Sequence, residues 1–322
     1  MTTGPTALNA AETLATEVGY YLTQTPRQLP SRALYDTLGS ALFDAICHLP
    51  WYPVTRAERR LIRECRTEIL DAAGRPARVI ELGPGNGDKL DLLLGPLDHP
   101  HGITHVDLVD VSPSALSAAT RLISEGRQLT VAPHAYRYED GLARAVSSRA
   151  DDRPVAVIFL GSNIGNFDPP GATSFLETIR SSLRADDALV IGADLVKPER
   201  ELILAYDDPL GVTAAFNKNL LVHLNRELGA TFDISRFAHR ALWNSAQSRV
   251  EMHLISDGRQ SVEIPKAGVA FDLRAGESIW TESSYKYEIR NFEAMLRRAG
   301  FTPAQHWIDR EGQFLLVAAR AA

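Results

Sequence analysis

The chain lacks the features of several protein classes. Its 322 residues include only two cysteines, Cys47 and Cys65, which have no metal-ligand spacing. We expect two plain buried thiols, because a disulfide is improbable in a cytosolic chain. No stretch approaches the roughly 18 consecutive apolar residues of a membrane span. Met1 to Gly19 has no basic start followed by an apolar core, so we expect no secretion signal and a cytoplasmic location.

The chain also has no excess of positive charge. Its formal net charge is -6 and its pI is near 5.9, whereas broad nucleic-acid binding needs a basic face. With 45% hydrophobic and 23% charged residues, the composition is that of an ordinary globular protein. We therefore expect a monomer that binds a small molecule and neither nucleic acid nor a membrane.

Periodicity predicts three regions of different character. Residues 11–22, 31–49 and 56–73 read as helices separated by prolines. Strands alternating with helices follow, at 78–82, 104–109, 129–134, 155–160 and 188–194, which predicts a parallel sheet covered on both faces. This alternation of strands and helices then ends. Helices are predicted near 198–204 and 211–228, and strands near 247–255, 261–265 and 279–287. A helix at 291–299 and strands at 305–308 and 314–319 close the chain.

A glycine-rich turn follows the first of these strands. Glu81-Leu82-Gly83-Pro84-Gly85-Asn86-Gly87 lets the backbone turn sharply and approach a ligand. Such a turn can be a plain strand-to-helix connection, and dinucleotide sites use Gly-x-Gly-x-x-Gly. Here the spacing is Glu-x-Gly-x-Gly-x-Gly, which resembles motif I of the class I S-adenosylmethionine (SAM) methyltransferases. The antiparallel hairpin predicted at the C-terminus is typical of the same class.

This resemblance implies an α/β fold with a Rossmann-like SAM-binding sheet. We assign residues 57–196 and 288–322 to that domain. Residues 1–56 and 197–287 would form an additional substrate-binding α+β domain, built from the N-terminus and an insertion.

Two acidic positions after later strands are candidate ligands of the donor. Asp110 ends the second strand, where a carboxylate can accept hydrogen bonds from ribose hydroxyls; it can equally cap the helix that begins at Ser112-Pro113-Ser114. Asp140, followed by Gly141, stands where this class often binds the adenine amino group, although a solvated turn explains it as well. Lys89 could meet the donor carboxylate or be a surface lysine.

Polar residues elsewhere suit a small zwitterion. Gly161 and Asn166 lie in a loop after the fourth strand, at the sheet edge where ligands bind. Glu282 and Ser284 share one face of a predicted strand, roughly 7 Å apart, and could hold a heteroaromatic ring that has an N–H; an exposed polar strand face is the alternative. Tyr35, Tyr52 and Tyr206 could each be packing residues, but together they would tolerate the charge of a methylated amine.

Together these segments resemble the histidine Nα-methyltransferases of ergothioneine biosynthesis. The likeness covers nearly the whole chain and is carried by Leu34-Tyr35-Asp36 with Gly39 to Phe43, Glu81 to Lys89, Phe159 to Asn166, Ala205 to Asp208 with Gly211 to Asn217, Trp243-Asn244-Ser245, Glu251-Met252 and Glu282 to Tyr287. The sequence departs from the family pattern at Trp51, at the Pro53-Val54 pair after Tyr52, at Pro84, Asn86 and Gly87 of the glycine-rich turn, and at Gly141.

The resemblance implies a role for each matching residue. The donor SAM would be bound by Tyr35, Glu81, Gly83, Gly85, Lys89, Asp110, Asp140 and Gly141. The amine and carboxylate of the amino acid would be held by Tyr52, Asn166 and Tyr206, with Phe43 and Gly161 in the same pocket. The imidazole nitrogens would be read by Glu282 and Ser284, with Met252 nearby. The implied product is the trimethylated betaine hercynine, and no metal is implied.

The chemistry expected of this site is positioning. A free α-amino group titrates near or above about pH 8, so we predict no dedicated general base, with Tyr52 and Asn166 orienting the amine. Three alternatives stay open at this point. They are an N-methyltransferase for another amino acid or aromatic amine, an NAD(P) oxidoreductase, and a non-catalytic SAM-binding sensor or scaffold.

Overall fold

The chain divides into two compact units. The computed structural model describes residues 10–95 and 102–322, so the part of the secretion-signal prediction that concerns residues 1–9 lies outside the described residues. One unit, called here the sheet unit, comprises Pro53–Lys197 and Tyr285–Ala322. The other, called the insertion unit, comprises the described residues up to Tyr52 together with Pro198–Ser284.

The helices account for most of the N-terminal region and alternate with strands after it. They are α1 Ala10–Leu22, α2 Thr37–Cys47, α3 Pro53–Ala72, α4 Asp88–Leu94, α5 Pro113–Ser124, α6 Tyr138–Ser147, α7 Pro169–Ser182, α8 Glu199–Tyr206, α9 Val212–Leu228 and α10 Ile289–Arg298. Short 3-10 helices lie at Ser31–Leu34, Asn163–Asn166, Ile234–Arg236 and Pro265–Ala267.

The strands belong to three sheets. They are β1 Arg78–Leu82, β2 His105–Asp110, β3 Thr130–Ala135, β4 Val155–Phe159, β5 Ala188–Asp194, β6 Phe237–Asn244, β7 Arg249–Ser256, β8 Gln260–Ile264, β9 Val269–Leu273, β10 Ser278–Tyr285, β11 Phe301–Asp309 and β12 Phe314–Ala321. In the described residues the large sheet has seven strands in the order β11-β12-β5-β4-β1-β2-β3. The smaller sheets are β10-β7-β6 and β8-β9.

The sheet unit is a parallel sheet extended by an antiparallel hairpin. β1 pairs in parallel with β2 and with β4, β2 with β3, and β4 with β5. β12 runs antiparallel to β5, and β11 antiparallel to β12. Helices α3, α4 and α5 contact one another in turn, as do α6, α7 and α10, so two helical layers cover the sheet. Every residue of β1, β4 and β5 is buried, which confirms the predicted parallel sheet.

The predicted helix over 31–49 is wrong as a single element. A 3-10 helix ends at Leu34, and α2 begins only at Thr37. Asp36 separates them because its extended backbone and its carboxylate, which accepts a hydrogen bond from the Gly39 amide at 2.7 Å, form an N-cap. The next helix also begins earlier than predicted, at Pro53, since proline is well suited to the first position of a helix.

Two strands of the insertion unit were missed. β6 carries His239 and Arg240 within an alternating pattern, and β9 is a short strand after the Lys266-Ala267-Gly268 turn. β11 is also longer than predicted, beginning before Pro303. A register shift between Pro303 and Gln305 accommodates the proline, which lies on an edge strand where its missing N–H costs least.

The cysteines agree only in part with expectation. Cys47 and Cys65 are both free thiols, but each is half-buried rather than buried.

Among the described helices, none combines the length and the apolar character required to cross a bilayer.

Gly141 has a packing role that predicts a stability effect. It lies in α6, where a Cβ would approach Val109 Cγ1 of β2 to 2.2 Å. Alanine normally makes a helix interior more stable than glycine does, by about 1 kcal/mol. Here the steric overlap with the stiff β-branched side chain of Val109 outweighs that gain. We therefore expect Gly141→Ala to lower the free energy of unfolding by about 1 to 3 kcal/mol, measured by urea denaturation.

The double variant Gly141→Ala/Val109→Ala is the control. Removing the valine methyls relieves the overlap, so the two substitutions should couple favourably in a double-mutant cycle. Purely additive effects would contradict this packing explanation.

Candidate functional site

The carboxyl ends of the parallel strands bring several predicted residues to one edge of the sheet unit. Because these strands are parallel, the residues that follow them lie at the same edge. Gly83 follows β1, Asp110 ends β2 and Gly161 follows β4. Sequence periodicity therefore placed these three positions correctly relative to the sheet.

The glycine turn has a backbone that side chains rarely adopt. Gly83, Gly85 and Gly87 have φ of 73°, 57° and 88°. A Cβ on Gly83 would lie 2.9 Å from the Tyr138 hydroxyl, whereas at Gly85 no described atom lies within 4 Å of the added Cβ. Gly85 is thus the point where the turn leaves open space beside its backbone.

Glu81, the acidic residue of β1, has a buried carboxyl group with one unsatisfied oxygen. Its residue is 2% exposed, and its Oε2 has no hydrogen-bond partner among the described residues. Burial raises the pKa of Glu81 to about 8, with Glu58 and Asp110 adding to the shift and Lys89 opposing it. The group is therefore protonated and neutral at neutral pH.

This raised pKa predicts how stability depends on pH. The folded protein binds the Glu81 proton more tightly than the unfolded chain, so the contribution of this group is present below the unfolded pKa and is lost as pH rises toward about 8. Relative to Glu81→Gln, the wild-type free energy of unfolding should fall by up to about 1.4 kcal/mol per pH unit across that range. Urea unfolding of both proteins at several pH values tests this, and equal pH slopes would refute it.

Glu58 organises the neighbourhood of Lys89 and Gly161. This α3 carboxylate is fully buried, and it lies 2.6 Å from Lys89 Nζ. Its two oxygens also accept the Gly161 N–H, at 3.0 and 2.9 Å. Lys89 is therefore part of a buried ion pair rather than a surface lysine. Sequence reasoning missed Glu58 because its charged surroundings, Arg56 to Arg60, indicate a solvated helix face.

Asp110 is tied into the turn that follows β2. Its Oδ1 accepts the Ser112 N–H at 2.8 Å, while Ser112 itself is the N-cap of α5. The predicted capping role therefore belongs to Ser112 and not to Asp110. Burial raises the pKa of Asp110, so an added positive charge near this carboxylate would be stabilising.

Asp140 and Gly141 lie at the start of α6. The Asp140 side chain is exposed, makes no hydrogen bond with the described residues, and lines a surface pocket with Tyr136 and Arg144. Gly141 is buried against Val109. The backbone of this turn is thus held by packing, while the acidic side chain stays open to solvent.

Asn166 ends a 3-10 turn that is fastened to β5 and to the segment after β10. The Ser162 hydroxyl accepts the Asp194 N–H at 2.9 Å, and the Tyr287 hydroxyl donates to the Ile164 carbonyl at 3.2 Å. A Cβ on Gly165 would lie 2.7 Å from the Tyr285 carbonyl oxygen, so the two backbones touch. The half-buried Asn166 side chain has no hydrogen bond to a described residue, which leaves its amide available for a ligand.

The insertion unit brings four of its predicted residues into one aromatic cluster. The Tyr35 and Phe43 rings are 5.5 Å apart, Phe43 and Tyr52 6.2 Å, and Tyr52 and Tyr206 6.2 Å. Phe216 of α9 completes the cluster, at 5.4 Å from Tyr35 and 5.9 Å from Phe43. Phe43, Tyr206 and Phe216 lie on α2, α8 and α9, while Tyr35 and Tyr52 lie in the connections before α2 and before α3, so five separate segments form one aromatic cluster.

Glu282 and Ser284 are buried polar residues on β10. They are 8% and 5% exposed, and Ser284 Oγ lies 2.8 Å from the Tyr206 hydroxyl. The burial alternation changes phase along the strand: Ile279 and Thr281 are buried first, then Glu282 and Ser284. The exposed polar face considered from the sequence is therefore excluded for this pair.

Met252 and Trp280 lie beside these residues on the same sheet. Met252 is buried, and its carbonyl accepts the Thr281 hydroxyl at 2.9 Å, so it adjoins the residue before Glu282. Trp280 instead packs against His253 and beneath the Arg249 guanidinium, at 6.1 and 4.4 Å. Ser284 and Tyr206 are thus in direct contact, whereas Met252 is linked to Glu282 through the strand.

The sheet order and the glycine turn define a class I SAM-dependent methyltransferase, with the parallel strands β3-β2-β1-β4-β5 followed by the antiparallel β12-β11. The family described as histidine-specific, SAM-dependent methyltransferases matches residues 14–321. The chain belongs to this family.

Relatives of known name agree with that assignment. The chain is 40% identical to a histidine N-alpha-methyltransferase of Mycobacterium tuberculosis, over 92% of both chains. It is 38% identical to a histidine N-alpha-methyltransferase of Mycolicibacterium smegmatis, over 97% of this chain and 96% of that one. It is also 27% identical to ergothioneine biosynthesis protein 1 of Neurospora crassa, over 92% of this chain and 34% of the relative.

The residues at the sheet edge fit the methyl donor of the family. SAM carries a sulfonium and an ammonium, and the edge offers the unsatisfied Glu81 oxygen and the Asp110 carboxylate, whose pKa values are raised by burial. A positive charge beside either group would offset that burial cost. The open space at Gly85 allows the donor to approach the backbone.

Proposed function

We propose that this protein methylates the free α-amino group of L-histidine, in three successive steps that yield hercynine for ergothioneine biosynthesis. The observation that carries this proposal is the buried Glu282, two residues from a Ser284–Tyr206 hydroxyl pair. The names of the relatives support the substrate and the pathway. We further propose that the enzyme is a cytoplasmic monomer.

We assign recognition of the imidazole ring to Glu282 and Ser284. A carboxylate accepts the ring N–H and thereby selects one tautomer, while a serine hydroxyl can donate to the second nitrogen. A site built around buried polar groups rejects analogues that leave those groups unpaired. Met252 adds apolar surface next to this strand.

We assign binding of the amine and the carboxylate of the amino acid to Tyr52, Asn166 and Tyr206, and we add Phe43 and Gly161 to the proposed substrate-binding residues. Aromatic faces stabilise a quaternary ammonium, so the cluster tolerates the charge that forms as methyl groups are added. The free amine titrates near or above about pH 8. Orientation of its neutral form therefore needs no dedicated general base, and Tyr52 and Asn166 supply that orientation.

SAM supplies an electrophilic methyl group on a sulfonium. The residues proposed to bind it are Tyr35, Glu81, Gly83, Gly85, Lys89, Asp110, Asp140 and Gly141. We assign donor binding chiefly to residues 57–196 and 288–322, and amino-acid binding chiefly to 1–56 and 197–287. Lys89, whose ammonium is held by Glu58, would meet the carboxylate of SAM. The Asp110 carboxylate would accept hydrogen bonds from hydroxyl groups of SAM, and the neutral Glu81 would offer its unsatisfied oxygen.

Mass spectrometry of products tests the proposal. The protein is incubated with SAM and a panel of free amino acids, and histidine should gain three methyl groups. Methylation of tryptophan or another amine in preference to histidine would replace the proposed substrate. SAM binding without any methylated product would favour a sensor, whereas binding of NADH in place of SAM would contradict the donor.

A further inference from the structure

A buried histidine of the insertion unit holds the end of the helix that carries Tyr206. Tyr206 is the last residue of α8, so its carbonyl lacks a partner within the helix. His239 of β6 fills this role, with Nε2 2.8 Å from the Tyr206 carbonyl oxygen. The His239 side chain is only 1% exposed, so water does not compete for this bond.

The partners of His239 fix its tautomer. A carbonyl oxygen only accepts, so Nε2 carries the proton that it donates to Tyr206. Asn217 Nδ2 lies 2.9 Å from His239 Nδ1 and 3.2 Å from the His253 carbonyl oxygen. Because the His253 carbonyl oxygen can only accept, the nitrogen and not the oxygen of the Asn217 amide faces both atoms, and Nδ1 acts as an acceptor.

The surroundings favour the neutral form of His239. Burial lowers its pKa, while its own contact with the Tyr206 carbonyl and the charges of Asp207 and Asp208 oppose that shift. Lys218 acts in the same direction as burial. A neutral ring with a proton on Nε2 is therefore held between Asn217 and the end of α8.

Tyr206 makes hydrogen bonds through both its backbone carbonyl and its side-chain hydroxyl. Its carbonyl is bound by His239, and its hydroxyl is 2.8 Å from Ser284 Oγ. Just beyond it, Asp208 accepts the Thr213 N–H at 2.7 Å at the start of α9. The Tyr206 hydroxyl of this pair thus belongs to the last residue of α8, whose carbonyl is hydrogen-bonded to His239 on β6.

We propose that His239 and Asn217 are positioning residues for the amino-acid site, acting through Tyr206. This inference rests on the proposed function only in that Tyr206 and Ser284 are taken to bind the amine substrate. Loss of the His239 donor leaves a buried carbonyl unpaired, so the end of α8 moves and the Tyr206 hydroxyl leaves its position. Binding of the amine then weakens, while binding of SAM, whose proposed residues lie mostly in the sheet unit, stays unchanged.

Steady-state kinetics test this with matched variants, using whichever amine the wild-type protein methylates. His239→Phe keeps the ring volume and removes the donor, and should raise KM for the amine about tenfold. His239→Gln keeps an N–H donor and should recover most of the affinity. Asn217→Ala should raise the same KM by a smaller factor, and KM for SAM should not change in any variant.

His48→Phe is the control. The His48 ring also bonds a carbonyl near a helix end, that of Asp44 at 2.8 Å, but it is exposed, so water replaces the lost bond. This variant should retain the wild-type KM values. A folded His239→Phe protein with wild-type KM for the amine, or one that loses amine and SAM affinity equally, would overturn the positioning role.

A measurement on the unaltered protein covers the case in which His239→Phe does not fold. Long-range proton–nitrogen NMR should show His239 as the neutral tautomer with its proton on Nε2 at neutral pH. A proton on Nδ1, or an imidazolium, would overturn the proposed contacts. If the wild-type protein methylates no amine, the proposed function fails, and this spectrum still decides whether His239 and Asn217 hold Tyr206 as described.

Discussion

Replacing Glu282 with alanine is expected to lower kcat/KM for histidine about a hundredfold, the usual order for truncating one partner of a buried, charged hydrogen bond. The carboxylate is buried on β10, two residues from Ser284 and its partner Tyr206. Without it the imidazole N–H loses the charged acceptor proposed for it. The effect should fall on histidine and spare the affinity for SAM, which isothermal titration measures separately.

Two further variants separate recognition from general disturbance. Glu282→Gln keeps a carbonyl acceptor without charge and should lie between wild type and Glu282→Ala. Glu263→Ala removes an exposed glutamate from β8 of the same unit and should leave the kinetics unchanged. Unaltered histidine turnover in Glu282→Ala would show that the ring is not read at this position and would favour another amine as the substrate.

Replacing Glu58 with alanine is expected to cost about 3 kcal/mol in the free energy of unfolding, the lower end of the range for breaking a buried ion pair. The lower end applies because the Lys89 side chain is 22% exposed and keeps some contact with water. The Gly161 N–H also loses both of its carboxylate oxygens. Urea denaturation gives the stability, and a weaker affinity for SAM should accompany the loss because Lys89 is no longer held.

The controls for Glu58 lie in the same helix. Glu58→Gln still offers an oxygen to the Gly161 N–H but gives up the ionic contact, so its stability should fall between those of wild type and Glu58→Ala. Glu64→Ala removes an exposed acid from α3 and should change stability little. A Glu58→Ala protein as stable as wild type would mean that the buried contacts contribute no net free energy.

The sequence predicts the catalytic sheet well because its strands have an unambiguous pattern. Val155 to Leu160 is apolar at every position, as a strand buried on both faces must be, and the glycine-rich turn marks the first strand-to-helix connection. β6 was missed because its inward face, which includes His239 and Trp243, mixes a polar ring with apolar ones. Periodicity alone cannot distinguish such a strand from a loop, because it does not reveal that the polar residue has a hydrogen-bond partner inside the protein.

The residues of the candidate site also differ in how far the sequence alone predicts them. Ser284 was singled out from strand alternation and Tyr206 as one of three tyrosines, and the family resemblance added their roles; the structure brings the two residues into contact. Glu58 and His239 were not found, because each depends on a partner distant in sequence. A glutamate among arginines indicates a solvated face until a buried amide and ammonium are seen beside it.

The lack of a side chain at Gly192 of β5 leaves the space that the Glu58 carboxylate occupies. A Cβ at this position would lie 2.2 Å from Glu58 Oε1, with Phe314 close on another side. A chain that carries alanine or a larger residue there cannot keep a glutamate at 58 in the same rotamer, and would have to shorten it to aspartate or move the helix outward. A side chain at position 192 therefore requires a change at position 58, whereas a smaller residue at position 58 is compatible with Gly192.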